Sequence, residues 1–277
     1  MKPLRITRFR CTVAAALLAL TACSAPQPVA HLASAPATTV SPAPAAVRAT
    51  SRHFRAQVLA RVPTDRADAR GLELVGDLLV ENTGQVIRAV APSTGEIQAQ
   101  RTVPPGSGTA LTPAGLWRTG AGGAVLLDPK SFVDGRRAAI EGEPWGLCYD
   151  GTHLVQSDGT TRLLLRDRDT AALVRELRVD AREWSTARLG ELHCATADGG
   201  PQVWAAVTGT DWMIRVDLAS GAVTADADLT AITIAEVPTG SDQVIGGIAA
   251  VPNTSGELWL TGRHYHHRYR IGLRPRP

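Results

Sequence analysis

The sequence predicts an all-β fold, a five-bladed β-propeller over residues 56–277. Three observations predict it. Beyond residue 60, short apolar runs alternate with turn clusters of Gly, Asp, Thr and Pro, with no sustained helical stripe. A small residue followed by aliphatics opens a unit that recurs at Leu72, Leu111, Leu147, Leu192 and Ile248, with gaps of 39, 36, 45 and 56 residues. A second marker, a turn closing the third run of a unit, repeats in phase with the first. It reads Ala91-Pro92-Ser93-Thr94-Gly95, Asp128-Pro129-Lys130-Ser131, Asp167-Arg168-Asp169-Thr170 and Asp217-Leu218-Ala219-Ser220-Gly221. Periods of this length holding several strands belong to propeller blades. A β-sandwich, the competing arrangement, has no need of two markers in phase.

The units follow in order. Gly71-Leu72-Glu73-Leu74 leads to Asp77-Leu78-Leu79-Val80-Glu81, and Ala110-Leu111-Thr112 to Gly115-Leu116-Trp117. Trp145-Gly146-Leu147-Cys148 leads to Thr152-His153-Leu154-Val155, and Glu191-Leu192-His193-Cys194 to Gln202-Val203-Trp204-Ala205. Gly247-Ile248-Ala249-Ala250 leads to Glu257-Leu258-Trp259-Leu260. Asp128, Asp167 and Asp217 each stand at the head of a turn cluster, where a short carboxylate can accept from backbone amides just ahead, so they read as turn formers.

Ahead of this domain, residues 1–23 have the three zones of a secretory signal. Lys2, Arg5, Arg8 and Arg10 form a basic front, and residues 12–20 an apolar run too short to span a bilayer. Leu20-Thr21-Ala22-Cys23 then gives the lipobox pattern, so the Cys23 thiol is expected to take a diacylglycerol and become the new N-terminus. Acyl chains on one residue would fix the chain to a membrane outside the cytoplasm. Residues 24–55 are rich in Ala, Pro, Ser and Thr and too poor in bulky apolar groups to offset ordering entropy, so a disordered tether is expected.

Composition narrows the function. The formal charge of +3 includes the four basic residues before Cys23; without them 25 basic side chains face 26 acidic ones. A near-neutral domain offers no electrostatic case for nucleic acid. Cys148 and Cys194 remain in a disulfide-permissive setting, either paired or as two buried thiols. No glycine-rich phosphate loop, serine nucleophile motif or paired-cysteine metal site is present, and no cofactor is expected.

The domain resembles the plant and bacterial type of glutaminyl-peptide cyclotransferase, from about Pro63 to Leu273. Glu143-Pro144-Trp145-Gly146-Leu147-Cys148-Tyr149-Asp150-Gly151 is similar to that family's Glu-Gly-Trp-Gly-Leu-Thr-Tyr-Asp-Gly, and Ser157-Asp158-Gly159-Thr160 follows at the family's distance. Val203-Trp204-Ala205-Ala206-Val207 stands for Val-Trp-Ala-Asn-Val-Trp, with Thr210-Asp211 continuing it. Ile245-Gly246-Gly247-Ile248-Ala249 and Thr261-Gly262-Arg263 resemble the closing Leu-Asn-Gly-Ile-Ala and Thr-Gly-Lys. Glu81-Asn82-Thr83-Gly84 also has the family's look. The resemblance implies a five-bladed propeller that converts N-terminal glutamine to pyroglutamate. The α-amine attacks its own side-chain amide and ammonia leaves. That reaction needs a pocket holding both ends, a donor on the amide oxygen and a carboxylate to move the proton. In the family a glutamate, an asparagine, a lysine and tryptophan walls supply these, without a metal.

Most of these positions differ here. The family's Phe-Gly-Glu-Gly aligns with Ser107-Gly108-Thr109-Ala110, putting Thr109 at the proton-shuttling glutamate, and residues 104–123 contain no acidic residue. A threonine hydroxyl cannot serve as that acid and base near neutral pH. Gly190 replaces the asparagine, Thr208 a tryptophan, Arg70 a glutamine and Arg263 the lysine; a second tryptophan has no counterpart near Gly120. Trp145 and Glu191 survive. The resemblance therefore places Trp145, Arg263, Arg70, Thr109 and Tyr265 around the pocket, and leaves Glu191 and Glu81 as the carboxylates that could take over proton transfer.

His264-Tyr265-His266-His267 is the sharpest local oddity: in a strand, His264 and His266 would share a face at a metal-capable spacing, yet with no third ligand in view no metal is expected. Two function classes stay open. One is a catalytically degraded propeller binding a peptide N-terminus or an envelope protein. The other is an active cyclotransferase.

Overall fold

The computed structural model describes residues 51–65, 68–120, 122–180, 184–185, 187–197, 200–236 and 244–276. The signal segment, Cys23 and the tether up to residue 50 lie outside the described residues. Strand β1 (Arg52–Pro63) opens the fold, ahead of the boundary expected at residue 56.

Three antiparallel four-stranded sheets follow in chain order. They are β2 (Leu72–Val75) to β5 (Ile97–Thr102) through β3 (Leu78–Asn82) and β4 (Val86–Val90), and β6 (Gly106–Thr112) to β9 (Asp134–Ala138) through β7 (Gly115–Gly120) and β8 (Gly123–Leu127). The third runs from β10 (Leu147–Tyr149) through β11 (His153–Ser157) and β12 (Arg162–Asp167) to β13 (Leu173–Arg178). The remaining strands form one eight-stranded sheet. One half is β14 (Leu189–Ala197), β15 (Gly200–Val207), β16 (Trp212–Asp217) and β17 (Val223–Asp228); the other is β18 (Ile245–Ala250), β19 (Glu257–Gly262), β20 (His267–Pro275) and β1. The halves meet where β1 runs parallel to β17, Arg52 opposite Ala225 and Arg55 opposite Asp228. On its other side β1 pairs antiparallel with β20, from Phe54 opposite Pro275 to Pro63 opposite His267.

Leu72, Leu111, Leu147 and Leu192 each lie on the first strand of a four-stranded meander, and Ile248 lies on the first of the three consecutive strands β18–β20, beside which β1 is added. These inner strands touch in a closed circuit, β2 to β6, β10, β14, β18 and back to β2. Small residues permit the approach: a Cβ on Gly71 would stand 2.9 Å from Thr109 Oγ1, on Gly108 2.4 Å from Leu147 N, on Gly146 2.5 Å from Gly190 O, and on Gly246 1.8 Å from Ala69 O. Apolar layers fill the spaces between neighbouring sheets. Leu163, Leu189, Val203 and Ile214 form one, and Leu72, Leu79, Ala249 and Trp259 another. Each Leu, Val or Ile among them contributes about 1.5–3 kcal/mol by leaving water.

The second marker is a turn between third and fourth strands; at Ala91 it is closed by backbone bonds, and at the other three places it is an Asx turn. Asp128 Oδ1 accepts from Ser131 N and Oγ at 2.7 Å, Asp167 Oδ1 from Thr170 N and Oγ1 at 2.8 Å, and Asp217 Oδ1 from Ser220 N at 2.8 Å. Cys148 on β10 and Cys194 on β14 form a disulfide, with Cα atoms 5.4 Å apart, tying two neighbouring inner strands.

Two local expectations fail. A short helix, α1 (Thr230–Glu236), interrupts the β texture although its β-branched residues weigh against it. Tertiary contacts win: Ile232 is fully buried, Thr233 Oγ1 donates to Asp211 Oδ1 at 2.7 Å, and Asp228 Oδ1 accepts from Thr230 N at 2.9 Å. His264 and His266 share no strand face, because β19 ends at Gly262 and β20 starts at His267. The chain turns there, with His264 at φ +59°, so that Tyr265 can pack inward.

Candidate active site

A central cavity of about 320 Å³ is lined by residues at the starts of all five inner strands. Arg70 comes from the approach to β2, Ser107 from β6, Trp145 from the approach to β10, Glu191 from β14 and Gly246 from β18; Arg188, Arg263 and Thr208 complete the wall. A second cavity of about 210 Å³ lies on the β6–β9 sheet, around Arg118, Gly120 and Asp134, and contains none of the residues expected at the site.

Four expected residues meet at the central cavity: Trp145, Glu191, Arg70 and Arg263. The indole of Trp145 rests on Gly159, whose added Cβ would lie 2.6 Å from the ring; Gly159 also has φ +75°, so no other residue fits there without strain. The Arg188 guanidinium stands over the same indole, 4.6 Å from its centroid. Asp68 pairs with both Arg70 (Nη2–Oδ2, 2.6 Å) and Arg263 (Nε–Oδ1, 3.1 Å).

Glu191 is 4 % exposed and its Oε1 has no hydrogen-bond partner among the described residues. Burial pushes its carboxyl well above the usual range, opposed by the Leu192 backbone and reinforced by the like charge of Glu73. Glu73, on β2, is pushed by burial up to about 7, although Leu74 N and Leu111 N both donate to it. His193, two residues beyond Glu191 on β14, is pushed down by burial to about 4. The inner strands thus hold groups whose charged forms are disfavoured, a signature found at reactive and binding sites.

The other three expected residues do not line the cavity. Thr109 is 1 % exposed, with Oγ1 unpartnered among the described residues and packed against Gly71. Tyr265 is buried, lies on Gly262 and packs edge-on against Tyr269 at 6.5 Å, which makes it core of the β18–β20 half. Glu81 is locked in an ion network: its Oε2 is 2.6 Å from Arg88 Nη2, its Oε1 3.2 Å from Arg268 Nη2, and Thr261 Oγ1 donates to it at 3.3 Å. Arg88 in turn reaches Asp65 at 2.6 Å.

Sequence reasoning missed Arg188, Glu73 and His193. Neither Glu73 nor His193 lines the cavity; His193 stands two residues from Glu191 on β14, and that period-two spacing was its available signal. Arg188 lies in an approach segment with no pattern. The histidine cluster binds protein instead: Glu236 at the end of α1 accepts from the His266 amide and from Tyr269 Oη, and contacts His266 Nδ1 at 3.0 Å and His267 Nδ1 at 3.2 Å. Among the described residues no group of three or more His, Cys, Asp or Glu side chains is arranged to hold a metal ion.

Two departures from the resembled pattern touch each other. A Cβ on Gly190 would lie 2.6 Å from Thr208 Oγ1, so the places of the asparagine and the tryptophan now hold a fitted small pair.

A closed circuit of inner β-strands around a polar central cavity that Trp145 lines defines the class as a β-sheet ring with a central cavity. Within that class the sequence profile of the glutamine cyclotransferase family matches residues 29–273, and the chain belongs to that family. Its fold is shared with the crystal structure of Myxococcus xanthus glutaminyl cyclase, at a TM-score of 0.75 and 24 % identity over 82 % of this chain and 100 % of that one. Kuenenia stuttgartiensis hydrazine synthase aligns at a TM-score of 0.45 and 15 % identity, over 72 % of this chain and 57 % of that one. Among curated proteins none matches by sequence.

Proposed function

We propose that this chain is an exported lipoprotein of the glutamine cyclotransferase family whose central cavity binds a peptide end or an envelope partner without cyclising glutamine. The observation that carries the reading is Thr109. It stands where the resemblance puts the proton-shuttling glutamate, and it is sealed among inner strands with its hydroxyl unpartnered and away from the cavity wall. Cyclisation requires one group to accept a proton from the α-ammonium and deliver it to the departing nitrogen. No side chain of β6 can do this. The test is ammonia release from a glutaminyl dipeptide by the purified mature chain, with no release above the protein-free rate expected. Release that disappears in Glu191→Gln would refute the binding-only reading.

One observation favours a second reading, an active cyclotransferase. Glu191 reaches the same cavity as Trp145, and burial has moved its carboxyl toward the range where it could both donate and accept a proton. Under that reading Arg263 would donate to the amide oxygen in place of a lysine, keeping the charge without the compact ammonium.

The architecture fits a five-bladed propeller if the eight-stranded sheet is two blades joined along β17 and β1. β1 then completes the fifth blade, which the closed circuit of five inner strands supports. The anchor reading rests on the basic front, the short apolar run and Cys23. Mass spectrometry of the native N-terminus should find a lipidated Cys23, and Cys23→Ser should release the protein from membranes. Persistence of Cys23→Ser in the membrane fraction would remove the anchor from the proposal.

A further inference from the structure

The central cavity gathers cations. Arg70, Arg188 and Arg263 all line it. Asp68 is shared between Arg70 and Arg263, so one negative charge is divided between two positive ones. Arg188 forms no ion pair among the described residues; its contact is the face of Trp145. Glu143, the remaining carboxylate on the wall, is an exposed rim residue. Inside, Glu191 is buried with one oxygen unpartnered, and burial disfavours its charged form. An α-ammonium entering here would meet three guanidinium groups of its own sign. An anion would meet the donors of Arg70, Arg188 and Arg263. A guanidinium already lying on an indole is also positioned to present its forked N–H edge to a carboxylate.

We propose that the ligand of this cavity carries a carboxylate, received by Arg188 above Trp145 together with Arg70 and Arg263. The inference rests on the reading of the cavity as a binding site and names what that site takes. The carboxylate has two possible sources, an acidic side chain at a peptide N-terminus or the C-terminal group of a peptide.

Calorimetric titration of the mature chain separates them with four probes. Glutamyl-phenylalanine amide and its glutaminyl counterpart report on the side chain; N-acetyl-alanyl-phenylalanine as free acid and as amide reports on the terminus. At least one acid is expected to bind about tenfold more tightly than its amide counterpart, as charge-assisted hydrogen bonds to arginine require. That preference should shrink about tenfold in Arg188→Gln and fall as salt is raised. Arg188 is exposed, so its replacement leaves the fold intact, which a thermal melt verifies. If both amides bind as tightly as the acids, or if Arg188→Gln and Arg263→Gln each leave the preference untouched, the carboxylate proposal falls and the binding site stands. If none of the four probes binds, the binding-site reading falls and takes this inference with it.

Discussion

Glu81 on β3 and Glu191 on the inner strand β14 are both buried carboxyls, and their surroundings are opposite. Glu81 meets two guanidinium groups and a hydroxyl, so both of its oxygens are engaged and its charge is matched. Glu191 has one oxygen without a partner and faces a cavity. The difference separates a carboxylate that joins β3, β4 and β20 from a carboxyl left available to a ligand. Residue type and burial alone do not distinguish the two; the inventory of partners does.

The largest expected effect breaks the paired side. Glu81→Gln leaves Arg268 buried without a counter-charge and should lower unfolding stability by about 3–5 kcal/mol in denaturant titration. Glu191→Gln should cost far less, since it strands no buried counter-charge and the amide oxygen can still accept from the Leu192 backbone. Equal losses for the two variants would erase the contrast.

Next in size is the pH dependence. A carboxyl whose folded value is raised contributes stability below the ordinary glutamate range, and that contribution is lost as pH rises through the folded value. For Glu73 the window runs from about 4.5 to about 7. The loss amounts to at most about 3 kcal/mol by pH 8. Glu191 acts in the same direction. His193, lowered to about 4, opposes them at the acid end: the unfolded chain takes up its proton first, and stability falls as pH drops from about 6.5 toward 4. Melts of Glu73→Gln from pH 5 to 8 should be flatter than those of the parent, and an unchanged slope would show that Glu73 ionises freely.

A smaller effect probes the fitted pair on the cavity wall. Gly190→Asn should destabilise by about 1–3 kcal/mol through its clash with Thr208, and Thr208→Ala in the same chain should restore part of that. Without rescue, the two sites are not coupled. The smallest effect lies far from the cavity: Asp167→Ala removes the acceptor of one Asx turn and should cost about 1 kcal/mol by thermal melt with ligand binding unchanged.

Much of the framework was legible because its causes are local. Asp128, Asp167 and Asp217 make turns with residues two or three positions ahead, and the unit heads recur because each first strand packs in the same way. β1 was not legible. Its partners, β17 and β20, lie at the other end of the chain, and nothing in residues 52–63 names them. The Cys148–Cys194 bond stayed open for the same reason: spacing permits it, but only adjacency of β10 and β14 decides it. At the site, Trp145, Arg70, Arg263 and Glu191 could be found because motifs fix their place on or beside inner strands. Tyr265 and Glu81 were expected near the chemistry for equally good motif reasons, and packing on Gly262 and pairing with Arg88 turned them elsewhere.

The placement of β1 has a consequence for the order of assembly. Strand β1 finds its partner β20 only after residues 267–275 exist, since Pro63 sits opposite His267. Until then its backbone amides and carbonyls, and the open edges of β17 and β20, remain unmatched. Docking β1 is therefore a long-range closure, the kind of non-local pairing that slows folding. During that interval a second copy could lend its own first strand to the gap, so chain exchange between copies is the misfolding route this topology most exposes.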